Sequence, residues 1–162
     1  MNGNTKQKQE YRGIKCIDEE FILNFLQDIN NKEPLYVYIK GHLYLESLMI
    51  VILERNFSYK IKIDMFSFKQ KLELISGLGI IDSQDKAVIS KVNNIRNSIA
   101  HNVEIKIDDV VVEDIISTLP KKTKDKIKAN VEESEFTIMQ CFFIELFAYL
   151  LFRLDFPFRE YA

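Results

Sequence analysis

The sequence is poor in the residues that break helices and in those that hold metals. It has five Gly and three Pro in 162 residues. That scarcity argues against a turn-rich β fold and for helices with few breaks. It has two Cys, Cys16 and Cys141, far apart and with no CxxC. They form no disulfide framework and read as reduced thiols in a cytosolic protein. The two His, His42 and His101, have no Cys or second His at ligand spacing, so no metal set is expected. A Gly-rich phosphate loop is missing, since "SGLGIID" follows a predicted helix and lacks the Lys of a P-loop. No spacing of Ser, His and Asp suggests a triad, and nothing calls for a cofactor. The net charge of −2 does not supply the broad basic surface of nonspecific nucleic-acid binding, although it leaves room for a local basic site. The N-terminal "MNGNTKQKQEYRG" has no apolar stretch of the signal-peptide kind. Residues 1–15 are expected to fray, and 16–162 to form one domain with a sizeable core.

What is present is a succession of helical patterns without repeats or low-complexity linkers. A first amphipathic helix is expected over 17–30, with Phe21, Ile22, Phe25, Leu26 and Ile29 on one side and Asp18 at its acidic start. Pro34 ends the break that follows. The second helix, 35–56, is apolar nearly all round in its C-terminal half, as suits the centre of a bundle or an interface. Residues 58–66, "SYKIKIDMF", alternate loosely and read as a connection in preference to a short strand. A third helix is expected over 67–78, capped by Ser67 and stopped by the glycines of "SGLG". A fourth starts at a cap on Asp82 or Ser83 and runs to about His101, with Val88, Val92, Ile95 and Ile99 as its core stripe. A fifth covers 108–119, up to Pro120. "KKTKDKIK", 121–128, is a basic patch in a charged connecting segment and reads as a solvated surface in preference to an RNA-docking patch. The last helix, 135–154, is rich in Phe and serves as core or dimer packing. Its segment 136–154 is long enough to consider as a membrane span. Gln140 and Glu145 fall inside it, and a central carboxylate costs about 2.5–3.5 kcal/mol in a bilayer. It is therefore expected to be a buried core helix, and no membrane partner is expected. The whole predicts an all-α antiparallel bundle of five to six helices.

One segment departs from these plain patterns. "NNIRNSIAHN", 93–102, carries Arg96, His101 and several Asn where a solvent face usually carries Lys and Glu. On a wheel of about 100° per residue, Asn93, Asn97 and His101 follow at i, i+4 and i+8, opposite the core stripe. Asn is a poor helix former, so a contact with another surface or ligand is expected to compensate. The side chains suit phosphodiester chemistry. His titrates near neutral pH and serves as general acid or base. Arg offers a planar fork to a phosphate and its transition state. Asn orients a phosphate or the ribose 2′-hydroxyl, which in RNA is the nucleophile and needs no metal. Arg96 and His101 lie about 140° apart on an ideal helix. A second copy across a two-fold axis would bring two of each into one cleft, so the chemistry needs a homodimer. A structural reading stands beside this one: Arg96 paired with Glu46 or another buried carboxylate, and His101 closing a helix end. His42 reads as a satisfied core or interface histidine. The C-terminal "DFPFREYA" has no assigned role, although it could dock on a neighbour.

"RNSIAH", 96–101, resembles the R-x4–6-H signature of the HEPN superfamily, in which the residue after Arg is typically polar. "GHLYLESLMIVIL", "MFSFKQKLELISGLGIID" and "KVNNIRNSIAHN" are similar, in that order, to mannitol-repressor-like and related HEPN proteins. The resemblance covers roughly 35–102. It implies an all-α bundle, a homodimer with motif helices at the interface, and no cofactor. It further implies metal-independent endoribonuclease activity, with 2′,3′-cyclic phosphate and 5′-hydroxyl products, in a toxin or antiviral defence role. On this sequence Arg96 would bind the scissile phosphate, His101 would be the acid/base and Asn97 would orient. Glu46, Asn93 and Asn102 would support them. The implied partners are RNA and an antitoxin or regulatory protein. HEPN toxins paired with minimal nucleotidyltransferase antitoxins carry a Tyr two residues after the motif His. Val103 stands there, which counts against that pairing. The mannitol-repressor-like relatives are regarded as regulators, so a catalytically inactive regulatory or interaction protein is the alternative expectation.

Overall fold

The helix signals in the sequence are met by seven α-helices in a computed structural model that describes residues 17–154. They are α1 (Glu19–Ile29), α2 (Pro34–Asn56), α3 (Phe68–Gly77), α4 (Ser83–His101), α5 (Asp109–Ile116), α6 (Lys121–Glu133) and α7 (Ile138–Leu154). A short 3-10 turn, Ile63–Met65, lies between α2 and α3. There is no strand among the described residues, and the fold is an all-α bundle. The expectations for Cys16, for residues 1–15 and for the C-terminal "DFPFREYA" fall outside the described residues.

The helix starts follow from capping chemistry. Asp18 Oδ1 accepts from the Phe21 amide, and Asp82 Oδ1 from the Asp85 amide. Each satisfies one of the donors a helix N-terminus leaves unpaired. Ser67 and Gln70 cap α3 reciprocally, hydroxyl to amide in one direction and amide to side-chain carbonyl in the other. Pro34 opens α2 at a position where its missing N–H costs nothing.

The central pair is α2 and α7, and the other helices dress it. α1 packs on both, α3 on α2 and α4, and α5 and α6 on α7. One constraint sets how close the central pair comes. At Gly41 the Phe143 ring lies directly against the α2 backbone, and any Cβ at Gly41 would fall inside it. Around this contact sit Tyr38, edge-on to Phe143 at 5.2 Å, and a second aromatic cluster in which Phe25 and Phe147 stack at 3.8 Å. Tyr44 meets Phe25 edge-on, and its hydroxyl donates to Asp28, which also accepts from Tyr36 and pairs with Lys40 at 3.0 Å. These contacts tie α1 to α2.

Both polar residues within the apolar 136–154 segment have partners in the bundle. Gln140 is buried, and its Nε2 donates to the Ile29 and Asn31 carbonyls at the end of α1. Its Oε1 accepts from the Thr137 amide at 2.7 Å, at the start of its own helix. Glu145 accepts from Asn130 and pairs with Lys126 at 2.8 Å, both on α6. The long helix is thus a core helix, as expected. Among the described residues α2 is long and apolar enough to cross a membrane, and half of its most apolar stretch is buried in the bundle.

Three differences from the sequence reading have physical causes. Among the described residues the helix count is seven, one above the expected range, because the basic segment at 121–128 is the start of α6 rather than a connection. Its Lys, Ala and Glu residues are good helix formers. It is anchored by the fully buried Ile127 and by the Lys126 and Asn130 contacts to Glu145, a stripe too narrow for hydrophobic periodicity to reveal. Leu26, placed on the core side of α1, is exposed. On α4, Val88 and Val92 are buried as expected together with Ile89, whereas Ile95 and Ile99 are half-buried. The C-terminal half of α4 therefore runs along the surface of the bundle.

Two helical glycines separate propensity from packing. Gly77→Ala meets no atom within 4 Å and is expected to stabilise by about 0.5–1 kcal/mol. Gly41→Ala has the same intrinsic advantage but is expected to destabilise by about 1–3 kcal/mol through overpacking on Phe143. Urea unfolding of both variants tests the pair, and equal shifts of the same sign would refute the close α2–α7 approach.

Candidate functional site

The segment singled out by sequence divides in two. Arg96 and Asn93 are half-buried, whereas Asn97, His101 and Asn102 are exposed. His101 is the last residue of α4. Asn102 follows it and uses its Oδ1 to accept from the Glu104 amide at 3.0 Å, closing the turn that leaves the helix. Arg96 and His101 are five residues apart on one continuous helix. Their side chains therefore leave the axis about 140° apart and about 7.5 Å apart along it.

Asn93 is not part of a solvent-facing polar row. Its Oδ1 meets His42 Nε2 at 3.0 Å across the α2–α4 seam, which is a correction to its placement opposite the core stripe. The reason lies one residue earlier. Tyr38, fully buried on α2, donates its hydroxyl to the Val92 carbonyl at 3.0 Å. That bond holds this turn of α4 against α2 and carries Asn93 to the seam. Burial pushes the Tyr38 phenol well above its usual range, so it remains a donor.

His42 is buried, as expected, and stacked on Phe68 with ring centroids 4.5 Å apart. With Asn93 accepting, its proton sits on Nε2. Its Nδ1 has no hydrogen-bond partner among the described residues. Burial lowers its pKa below the ordinary 6.5. The Asn93 bond and the charge of Glu46 oppose that shift, and the charges of Arg96 and Lys71 reinforce it. The ring is thus held neutral beside two cations and a carboxylate.

Glu46, one turn beyond His42 on α2, pairs with Lys71 of α3 at 2.5 Å. Lys71 is completely buried. The carboxylate proposed as a partner for Arg96 or His101 is thus engaged by a lysine the sequence reading did not single out. A signal for Lys71 was present: it lies within the α3 stripe formed by Phe68, Leu72 and Ile75. His42 lies likewise among Tyr38, Leu45 and Met49 on α2. A charged or titratable residue inside a core stripe needs a partner, and here α2, α3 and α4 supply the partners for one another.

The seam around Arg96 therefore holds His42, Glu46, Lys71 and Asn93, three helices joined by polar contacts. The outer turn holds Asn97 and His101. One copy presents a guanidinium at the seam and an imidazole in solvent, aimed apart. No group of three or more His, Cys, Asp or Glu that could hold a metal ion occurs among the described residues.

Two measurements test this cluster. Glu46→Leu strands the Lys71 ammonium and is expected to cost about 3–5 kcal/mol, whereas Glu46→Leu with Lys71→Met is expected to recover most of it. A double variant no better than the single one would refute a buried pair. For His42, the unfolded chain takes up a proton near pH 6.5 while the native ring resists it. Its contribution is therefore full above that pH and falls as pH drops toward the lower native pKa. Urea stability measured from about pH 8 down to pH 5 is expected to fall more steeply in the parent than in His42→Gln. Parallel curves would overturn the assignment.

No protein-family model and no curated protein matches this sequence. Among solved structures, the fold is similar to a chain of the X-ray structure of the MtlR–HPr complex from Escherichia coli. The TM-score is 0.60 at 13% sequence identity, over 84% of this chain and 99% of that one. At that identity the likeness concerns the fold. The helical architecture implied by the resemblance to mannitol-repressor-like proteins thus has a counterpart among solved structures.

Proposed function

We propose that this chain is a regulatory interaction protein of the mannitol-repressor-like kind, which works as a homodimer and binds a protein partner. The observation that carries this reading is the division of the R-x4-H segment. Asn93 is bonded into the core seam, Arg96 lies half-buried beside it, and His101 stands on the outer turn. Four of the six residues that would form or support a cleavage site are exposed or only part-buried on α4 and just after it, and the two with cross-helix bonds, Asn93 and Glu46, brace the bundle. The likeness in fold to a structure in which MtlR is bound to HPr supports a protein partner.

The surface suits pairing. The C-terminal half of α4 carries half-buried Ile95 and Ile99 beside exposed Asn97 and Ala100. On α2, Leu35 and Leu43 are exposed as well. Apolar residues set among uncharged polar ones are the composition of an interface centre.

The second reading is the metal-independent endoribonuclease, with Arg96, Asn97 and His101 of two copies in a composite cleft. One observation favours it: the outer face of α4 presents Asn97 and His101 to solvent with no Lys or Glu beside them on that turn. Purified protein incubated with a mixed RNA pool in EDTA discriminates the two readings. The regulatory reading expects no cleavage above buffer from the parent or from His101→Ala, with both sedimenting as dimers. Cleavage by the parent that leaves cyclic-phosphate ends and is absent in His101→Ala would replace it with the nuclease.

A further inference from the structure

A second feature lies away from the R-x4-H segment and does not rest on the proposed function. A groove of about 510 Å³ opens between the start of α4, the start of α6 and the later turns of α7. Phe142, Leu146, Tyr149, Phe152 and Arg153 line it along α7, at the spacing of one helical face. Leu119 and Ile127 complete an apolar floor. From Phe142 to Phe152 is ten residues, or about 15 Å of helix. That length suits nearly three turns of a second helix, with apolar anchors at i, i+4 and i+7. Phe152, at the α7 end of the groove, is 73% exposed. A large ring bared beside an apolar trough is the kind of surface that marks a binding groove.

The charges on the two sides of the groove are used differently. On the α4 side, Asp82 Oδ1 accepts from the Asp85 amide. Asp85 accepts from the Tyr149 hydroxyl at 2.5 Å and feels the charge of Arg153. On α7, Glu145 is held by Lys126 and Asn130. Each carboxylate of the groove is thus engaged within the bundle. The α6 side is not balanced in this way. Five of the eight residues at 121–128 are Lys, in a chain whose net charge is −2. Lys126 is paired, whereas Lys121, Lys122, Lys124 and Lys128 form no ion pair among the described residues. No acidic residue stands in the first turn of α6 to offset them. Lys122 lines the groove, and Lys121 is exposed next to it in the chain. An apolar trough with one uncompensated cationic wall matches an occupant that is apolar on one face and acidic along one edge. A nucleic acid matches it less well. Its backbone carries a charge at every phosphate, so a strand along the trough would also meet Asp82, Asp85 and Glu145. A peptide can keep its carboxylates to one edge.

We propose that the groove between α4, α6 and α7 is a docking site for an acidic amphipathic helix of a partner protein, whose apolar side chains pack on Phe152 and the groove floor and whose carboxylates face Lys121 and Lys122. The site is formed by the start of α4, whereas the R-x4-H segment lies at the other end of that helix, so occupation of one leaves the other open.

The test pans a phage-displayed library of random peptides, each about 16 residues or about 24 Å of helix, against the immobilised full chain. Enriched peptides are expected to carry Asp or Glu together with bulky apolar residues at helical spacing. The most enriched one, synthesised and labelled, is expected to bind the parent in fluorescence anisotropy. Its affinity is expected to fall by about tenfold or more in Lys121→Glu with Lys122→Glu, and likewise in Phe152→Ser. Lys69→Glu with Lys91→Glu makes the same change of charge outside the groove and is expected to leave the affinity unaltered. All five side chains are exposed, so far-UV circular dichroism is expected to match the parent in each variant. Failure to enrich any peptide over a blank surface would overturn the proposal, as would enrichment without an acidic bias. Binding that survives either the Lys121 and Lys122 reversals or Phe152→Ser would place the peptide elsewhere and overturn it equally. An equal loss in the Lys69 and Lys91 variant would reduce the effect to net charge and also refute it. Poly(U) bound by the parent and released by the Lys121 and Lys122 reversals, with no peptide enriched, would assign the basic wall to RNA instead.

Discussion

The contact between the Phe143 ring and the α2 backbone at Gly41 is the constraint from which the rest of the arrangement follows. It brings the two central helices closer than side chains on both would allow. It also fixes their register, because the ring meets a single position. One turn earlier on α2, Tyr38 lies edge-on to the same ring and sends its hydroxyl to the Val92 carbonyl. One residue after Gly41, His42 reaches Asn93. Four residues further on, Glu46 takes Lys71. The placement of α4, and with it the R-x4-H segment, is thus transmitted from an α2–α7 contact that involves none of the residues of that segment.

The bundle accepts polar groups in its interior where each joins separate helices. Gln140 joins α7 to the end of α1, Glu145 joins α7 to α6, and Lys71 with Glu46 joins α3 to α2. Such contacts stabilise little beyond what apolar residues of equal volume would, because desolvation offsets most of the attraction. Their effect is on specificity: an antiparallel bundle shifted by one turn would leave Gln140 and Lys71 buried and unpaired. His42 differs, since one of its ring nitrogens has no partner among the described residues. Burial and its cationic neighbours resolve this by keeping the ring neutral, so the nitrogen is a lone pair rather than a buried charge.

The fold class was legible because helix signals are local. The Ser67 and Asp82 caps, the acidic start at Asp18 and the apolar stripes of α1 and α4 are each set by neighbours in sequence. α6 was not legible, because one buried Ile in a charged helix makes no period. The site was legible only in part. A wheel drawn for α4 alone puts Asn93 opposite the core stripe, but the seam with α2 is set by Tyr38 and Val92, a contact between residues 54 apart. Glu46 had the right character for a buried partner, and nothing on α2 itself indicated that Lys71 would meet it.

Division of the R-x4-H segment also bears on how any activity or binding could arise. A single helix cannot aim residues five apart at the same atom, since about 140° of rotation separates them. Chemistry that used both Arg96 and His101 would need the second residue from another copy. Protein binding has no such requirement, since one half-buried apolar strip with an uncharged polar margin suffices. The two readings therefore place different demands on the same helix: one needs atomic alignment across a two-fold axis, the other only a surface. The bonds from α2 to Asn93 and to the Val92 carbonyl hold α4 rigid over its middle turns and leave its last turn to solvent. Rigidity there fixes the shape of a docking face in advance, and it also fixes how far His101 can swing toward a phosphate held at Arg96. The same bracing thus favours recognition and limits catalysis within one chain.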